Sequence, residues 1–313
     1  MTQQATEDYF VHGLHIRSDL ALPELRRNGA PHGTWPMITI RLGQAGTSLD
    51  APRYVGPTFQ VGHDDYLLEI ERVARYRVRK GAEIVVDPAS VGVSKDVRLF
   101  LLSIAFGALC HQRGLLPLHA SAIEVDGRCV AFAGRSRAGK STLAAHYRSR
   151  GFRVVCDDLC VLSFDDSPTP LAWPGAPRIK LWRDAAVQMG HNPADLEPVR
   201  DGLEKYQIVH EGGTTAAALP LARLYALHET SGPEHESVKR LTGTAVFNAV
   251  LNNTYRRHLV APMGRAQAHF AQCATLAHHV PIFSVGRRWG FESFEQQAER
   301  LERHFTDGAQ EPA

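Results

Sequence analysis

A chain of 313 residues, 44% of them apolar, can bury a sizeable core, either as two domains or as one domain with a large addition. Its 35 Lys and Arg nearly balance 33 Asp and Glu, for a formal net charge of +2. That balance speaks against a general nucleic-acid or membrane-surface binder.

The opening "MTQQATEDYF" has no basic stretch leading into an apolar run, so no signal peptide is expected, and a cytoplasmic protein is. Residues 9–18, 37–43, 57–62, 66–72, 74–81 and 83–88 read as short strands, with Gly, Pro, Asn and Asp between them. At residue 94 the period changes. "SKDVRLFLLSIAFGALCHQRG" reads as a largely buried helix with Ser94 as N-cap and Gly114 as C′ glycine. Its apolar run, 99–110, is too short to span a bilayer. The expected division is a β-rich unit over 1–93 and a second unit over 94–313.

Asp126 and Gly127 lie between two β-rich runs and signal a two-residue hairpin. "CVAFAG" (129–134) then reads as a buried strand entering a glycine-rich loop, "KSTLAAHYRSR" as a helix closed by Gly151, and 152–164 as a second core strand interrupted by two acids. Residues 178–190 read as a turn and helix, 221–229 as a strand, and 243–260, 264–280 and 291–305 as helices. The Gly/Thr/Ala-rich 210–220 reads as a mobile loop. Four short basic clusters, Arg26-Arg27, Arg75 to Lys80, Arg256-Arg257 and Arg287-Arg288, are expected on solvated surface. The five cysteines, Cys110, Cys129, Cys156, Cys160 and Cys273, form no C-x-x-C pair and are expected as reduced core thiols.

"GRSRAGKST" (134–142) satisfies the G-x-x-x-x-G-K-[ST] phosphate-loop pattern, in the strand–loop–helix–strand context that such a loop requires. Successive backbone N–H groups from Gly134, Arg135, Ser136, Arg137, Ala138, Gly139, Lys140, Ser141 and Thr142 would surround phosphate oxygens at a helix N-terminus. Lys140 would reach the β- and γ-phosphates of ATP, and the Ser141 hydroxyl would ligand Mg²⁺. Arg137 departs from common practice, because glycine is often used where such a loop needs positive φ.

Asp157 and Asp158 end the next predicted strand between "VVC" and "LCVL", an apolar setting in which adjacent carboxylates repel. A metal ion on one and proton acceptance by the other removes the difficulty. His119, in "LPLHAS", precedes the strand pair leading into the loop. The histidines show no Zn-type ligand spacing, so no transition metal is assigned.

With these residues in hand, 99–165 resembles the C-terminal domain of bacterial HPr kinase/phosphorylase. It resembles more closely the HPr kinase-related proteins, which include tailoring kinases of lasso-peptide and other modified-peptide pathways. "ALPEL" and "NNTYRR" add to the likeness. It implies an α/β fold: a β-rich N-terminal region, a phosphate-loop core of mixed sheet with flanking helices, and a helical C-terminus. It also implies ATP-dependent, Mg²⁺-assisted phosphoryl transfer to a serine hydroxyl of a peptide or small protein, and a homo-oligomer. Asp157 matches the proposed general base, Asp158 the neighbouring acid near the metal, and His119 the histidine beside the catalytic acid. Arg178, Lys180 and Lys205, in "PRIKLW" and "LEKYQI", lie in the corresponding stretch of related kinases and are candidates for contacting transferred phosphate.

Two departures matter. Thr142 stands where the bifunctional enzyme has Glu, and its second, Gly-rich signature is missing. Neither the reverse reaction nor HPr as acceptor is therefore expected. The alternatives are a kinase for a small molecule such as free serine or a sugar, and a nucleotide-binding regulatory protein with a degraded site, for which Arg135 and Arg137 speak.

Overall fold

Short alternating runs at the start of the chain build a sheet before any helix appears. The computed structural model describes residues 6–26, 36–164, 169–210 and 217–307. β1 (Glu7–Val11) and β2 (Leu14–Ser18) form a hairpin, which corrects the reading of 9–18 as one strand. His12 and Gly13 both have positive φ, 54° and 75°, the sense that a two-residue hairpin turn needs. A Cβ at Gly13 would lie 2.6 Å from the Trp173 ring, so the turn is also a docking point for the rest of the chain.

β3 (Met37–Leu42), β4 (Tyr54–Val55), β5 (Phe59–Val61), β6 (Asp65–Ile70), β7 (Ala74–Arg79) and β8 (Glu83–Pro88) complete a sheet of order β1-β2-β3-β8-β7-β6-β5-β4. Ile16, Ile38, Ile40, Tyr76, Val78, Ile84 and Val86 on this sheet are buried in one cluster. Covering them is the helix that starts at Ser94, whose hydroxyl accepts from Val97 N–H. It runs as α1 (Lys95–Phe100), passes through a π-helical turn at Leu101–Ala105, and continues as α2 (Phe106–Gln112). Gly114, φ 73°, ends it: Leu115 N–H returns to Cys110 O and Gly114 N–H to His111 O, the paired bonds of a Schellman cap. Leu101, Ala105, Phe106 and Leu109 share the sheet's core, as do Leu159 and Val161 from much later in the chain.

β9 (Leu116–Leu118), β10 (Ala120–Val125) and β11 (Arg128–Gly134) follow. β10 and β11 are joined by Asp126-Gly127 as expected, with φ 49° and 74°. α3 (Lys140–Ser149) ends in a second Schellman cap at Gly151, where Phe152 N–H reaches Tyr147 O. The predicted strand 152–164 is two strands. β12 (Arg153–Cys156) pairs with β10, while β13 (Cys160–Ser163) pairs with β9 and with β14 (Leu171–Trp173). The two acids therefore occupy a corner where the chain changes partners.

Residues 178–190 also differ from expectation. β15 (Arg178–Trp182), with burial alternating residue by residue, precedes a short α4 (Arg183–Gln188). β15 pairs with β17 (Lys205–Val209), which pairs with β16 (Glu197–Pro198). The loop expected at 210–220 falls mostly at 211–216, outside the described residues. β18 (Leu219–Glu229) lies parallel to β11, and β19 (Ser237–Arg240) lies antiparallel to a later strand, β20 (Ile282–Arg287). α5 (Thr244–Asn253) is shorter than the predicted helix 243–260, because Thr254 turns extended and bridges to Leu118. α6 (Ala266–His279) and α7 (Phe294–Asp307) match the predicted helices, and β20 runs between them, parallel to β18.

The result is a mixed α/β fold. All five cysteines are free and buried. Among the described residues no helix is long and apolar enough to cross a membrane.

Candidate active site

The loop between β11 and α3 has the geometry its sequence requires. Gly134 sits at φ 150°, Arg137 at 69° and Gly139 at 85°, so the departure from glycine at 137 is a real left-handed arginine. A Cβ at Gly134 would lie 2.8 Å from Leu227 O, which excludes any other residue there without moving backbone. The left-handed Arg137 has an exposed side chain whose guanidinium carbon lies 4.4 Å from the centroid of the Trp182 ring. Cation–π contact of this kind contributes about 0.5–1 kcal/mol at an exposed site, comparable to the cost of the backbone conformation. Lys205 approaches the same ring at 5.7 Å. No ring or ion-pair contact brings Arg135 to another described residue.

Lys140, first in α3, is buried and folded back on its own loop. Its Nζ donates to Gly134 O and Arg135 O, both at 2.9 Å, and to His119 Nε2 at 3.1 Å. Three protons on three acceptors leave none spare, so engaging a phosphate means exchanging at least one of these bonds. Burial pushes its pKa down to about 8, against the pull of Asp158 and Asp157. With Nε2 accepting, His119 is the neutral tautomer that carries its proton on Nδ1, and Nδ1 meets Asp158 O at 3.1 Å and Asp158 Oδ1 at 3.4 Å. Burial and the Lys140 charge both hold the His119 pKa below its ordinary value.

The two aspartates divide their partners. Asp157 Oδ1 accepts from the Ser121 hydroxyl at 2.6 Å and Oδ2 from Lys180 N–H at 2.8 Å. Asp158 faces the cations: Lys180 Nζ is 3.4 Å from Oδ2. Burial would raise the Asp158 pKa, but Lys180, Lys205, His119 and Lys140 outweigh it and hold the carboxyl well below the usual range. The turn holding it is tight. Leu159 N–H bonds to Asp157 O at 2.9 Å around Asp158, φ 72°, a γ-turn of the strained sense. Strain of this kind survives only where surroundings fix it, and it concentrates at functional positions.

Both carboxylates line a cavity of about 60 Å³. Its far wall comes from His12 and Glu24 near the N-terminal sheet and from Leu99, Leu102 and Ser103 around the π-helical turn. Of the three cations expected near transferred phosphate, Lys180 is at the acids and Lys205 at Trp182. Arg178 lines the same cavity, with Nη2 donating to Pro23 O at 2.6 Å and Nη1 near Glu197 at 3.5 Å.

Sequence reasoning missed Ser121 and Trp182. Parity could have found both: Ser121 follows His119 by two positions into β10, and Trp182 follows Lys180 by two on β15. It also misplaced Arg287, expected on the surface. The guanidinium reaches inward, and its Nη1 would lie 3.1 Å from a Cβ at Gly139.

Among the described residues no three His, Cys, Asp or Glu side chains converge as a metal cage. No family model matches the chain, and no curated protein matches it. Among solved structures the chain is similar to that of the Hpr(Ser) kinase/phosphatase from Coxiella burnetii, with 13% identity and a TM-score of 0.30 over 61% of this chain and 99% of that one.

Proposed function

We propose that the protein is an ATP-dependent kinase that transfers a phosphoryl group to a serine hydroxyl of a peptide or small protein. The observation that carries this reading is the meeting of Lys140, from the phosphate loop, with His119 and through it with the Asp157-Asp158 corner. A loop that only bound nucleotide would need at most one acid nearby for the metal, whereas two half-buried acids flank this one.

The donor set fits Mg²⁺. Ser141 and Asp158 offer hard oxygen ligands, and magnesium bound to a nucleotide needs only one or two protein oxygens beside phosphate and water. When bound there, it would neutralise charge on the β- and γ-phosphate oxygens. The chain's own residues supply the rest. Loop N–H groups and Lys140 hold the phosphates. Asp157, its carboxylate oriented by Ser121 and Lys180 N–H, accepts the proton of the attacking hydroxyl. His119 links Lys140 to Asp158 and keeps the lysine near the transferring group. The cavity beside the acids has room for a few water molecules, and so for a hydroxymethyl group; that size supports a serine side chain entering from outside.

The test is phosphotransfer from Mg-ATP to candidate serine peptides, read by mass spectrometry, for the wild type and for Asp157→Asn. Transfer that falls at least a hundredfold in the variant, with nucleotide affinity retained, is expected. Undiminished transfer removes Asp157 as base. Nucleotide binding with no transfer to any acceptor turns the reading toward a regulatory protein.

A further inference from the structure

We infer that Arg287 is a ligand of the phosphate chain held by the loop 134–142, delivered from a strand two places away in the sheet. The inference rests on the nucleotide-site reading above and adds a residue to it that the loop pattern does not contain.

The topology places it. β11, β18 and β20 run parallel, with Gly134 beside Leu227 and Leu227 beside Val285. Their carboxyl ends therefore finish together, and open sheets bind ligands just beyond such ends. Arg287 lies two residues past Val285, on the same face as Val285 and Phe283. That face packs against Leu143 and Tyr147 of α3, so the Arg287 side chain rises toward the start of that helix. Its Nη1 meets the helix there: a Cβ on Gly139, the residue before Lys140, would lie 3.1 Å from Nη1.

The side chain is held but not neutralised. Its Nε donates to Gln297 Oε1 at 3.1 Å, and the guanidinium carbon lies 5.4 Å from the Phe294 ring centroid. Gln297 is itself fixed by bonds from Nε2 to Glu236 Oε1 and Ser293 Oγ. Glu236 is engaged by the neighbouring Arg288 at 2.5 Å, and no carboxylate among the described residues comes within ion-pair range of Arg287. Its Nη1 is buried and has no hydrogen-bond partner. A buried arginine keeps its proton, and an uncompensated buried charge is costly unless something pairs it. The nearest function for such a nitrogen, beside a helix N-terminus and a phosphate loop, is an anionic oxygen. Guanidinium suits this use because its fork matches phosphate geometry.

The experiment titrates Mg-ATP and, separately, inorganic tripolyphosphate into the wild type, Lys140→Met, Arg287→Gln and Arg287→Lys by calorimetry. Thermal unfolding without ligand is recorded for each. Loss of one charged hydrogen bond corresponds to a Kd about tenfold to a hundredfold weaker in Arg287→Gln. The loss should appear for both probes because it concerns phosphate and not the base. Arg287→Lys should recover part of it, and unliganded Arg287→Gln should melt no lower than the wild type. The inference is overturned if both probes bind Arg287→Gln within twofold of the wild type, or if the only change is a lower melting temperature. Should Arg287→Gln not fold, Arg287→Lys decides by the same twofold limit. Failure of the underlying reading looks different: the wild type then binds neither probe, or Lys140→Met binds both as well as the wild type.

Discussion

Replacing Asp158 by Asn removes a charge while keeping shape, and its consequence follows from the charges around it. Lys180 Nζ and His119 Nδ1 each stand 3.4 Å from one carboxylate oxygen. At an effective dielectric of about 20, one unit pair at that separation attracts by about 5 kcal/mol before desolvation is charged against it. The competing effect is relief of repulsion from Asp157, which favours the variant. Burial of Asp158 is outweighed by the charges of Lys180, Lys205 and Lys140, with His119 adding a hydrogen bond from its Nδ1 side, so the cationic side wins. Removing one partner of a buried pair typically costs about 3–5 kcal/mol, and relief of the acid–acid repulsion lowers the expected loss to about 2–4 kcal/mol. The assay is urea unfolding of the unliganded protein for Asp158→Asn, Lys180→Met and the double variant, with the slope checked for constancy. Lys180→Met should cost less in the Asp158→Asn background, giving a coupling of about 2 kcal/mol. An Asp158→Asn variant within about 0.5 kcal/mol of the wild type, or a double variant equal to the sum of the singles, refutes the reasoning.

Acid sensitivity should come partly from His12. Its fully buried ring has a pKa pushed down to about 3 by desolvation, so between pH 6.5 and 3 the unfolded chain binds a proton that the native chain refuses. Stability should fall across that window as pH falls, by roughly 5 kcal/mol from this group alone. His12→Asn, which tolerates the left-handed turn, should flatten the curve; an unchanged slope would exclude His12 as its source. At Arg137, glycine relieves the positive-φ cost but loses the Trp182 contact, so Arg137→Gly should unfold within about 1 kcal/mol of the wild type. Arg137→Ala keeps the strain and loses the contact, and should be the less stable of the two. The reverse order in melting experiments would show that the positive φ at residue 137 carries no cost that glycine relieves.

Features fixed by neighbouring residues were legible in the sequence. The phosphate loop, the Ser94 cap, the glycines at 114 and 151 and the Asp126-Gly127 hairpin each depend on a few consecutive residues, and each forms where expected. Features fixed by partner choice were harder. "RIKLW" alternates as a strand should, but it runs directly into a helix-forming stretch whose signal extends back over it. "RVVCDDLCVL" is apolar throughout apart from its first residue and its acids, so nothing local marks the point where the chain leaves β10 for β9 and β14. Arg287 and Arg288 are chemically identical neighbours. Only the side of β20 on which each falls decides that Arg288 pairs with Glu236 while Arg287 turns toward the loop.

The placement of the acids between two walls bears on how transfer would proceed. Lys140 and the loop approach His119 and Asp158 from the α3 side. The cavity bordered by Asp157, Asp158 and Lys180 is closed on its other side by His12, Glu24 and the π-helical turn. An in-line displacement needs donor and acceptor on opposite sides of the transferring phosphorus, and these two approaches would supply them. That far wall belongs to the N-terminal region and its covering helix, joined to each other by Arg98 on Glu24 at 2.8 Å and to β15 by Arg178 on Pro23 O. On this reading the β-rich region is half of the acceptor site. Its fit against the Asp157-Asp158 corner, more than anything in the loop, would then select the hydroxyl that receives phosphate.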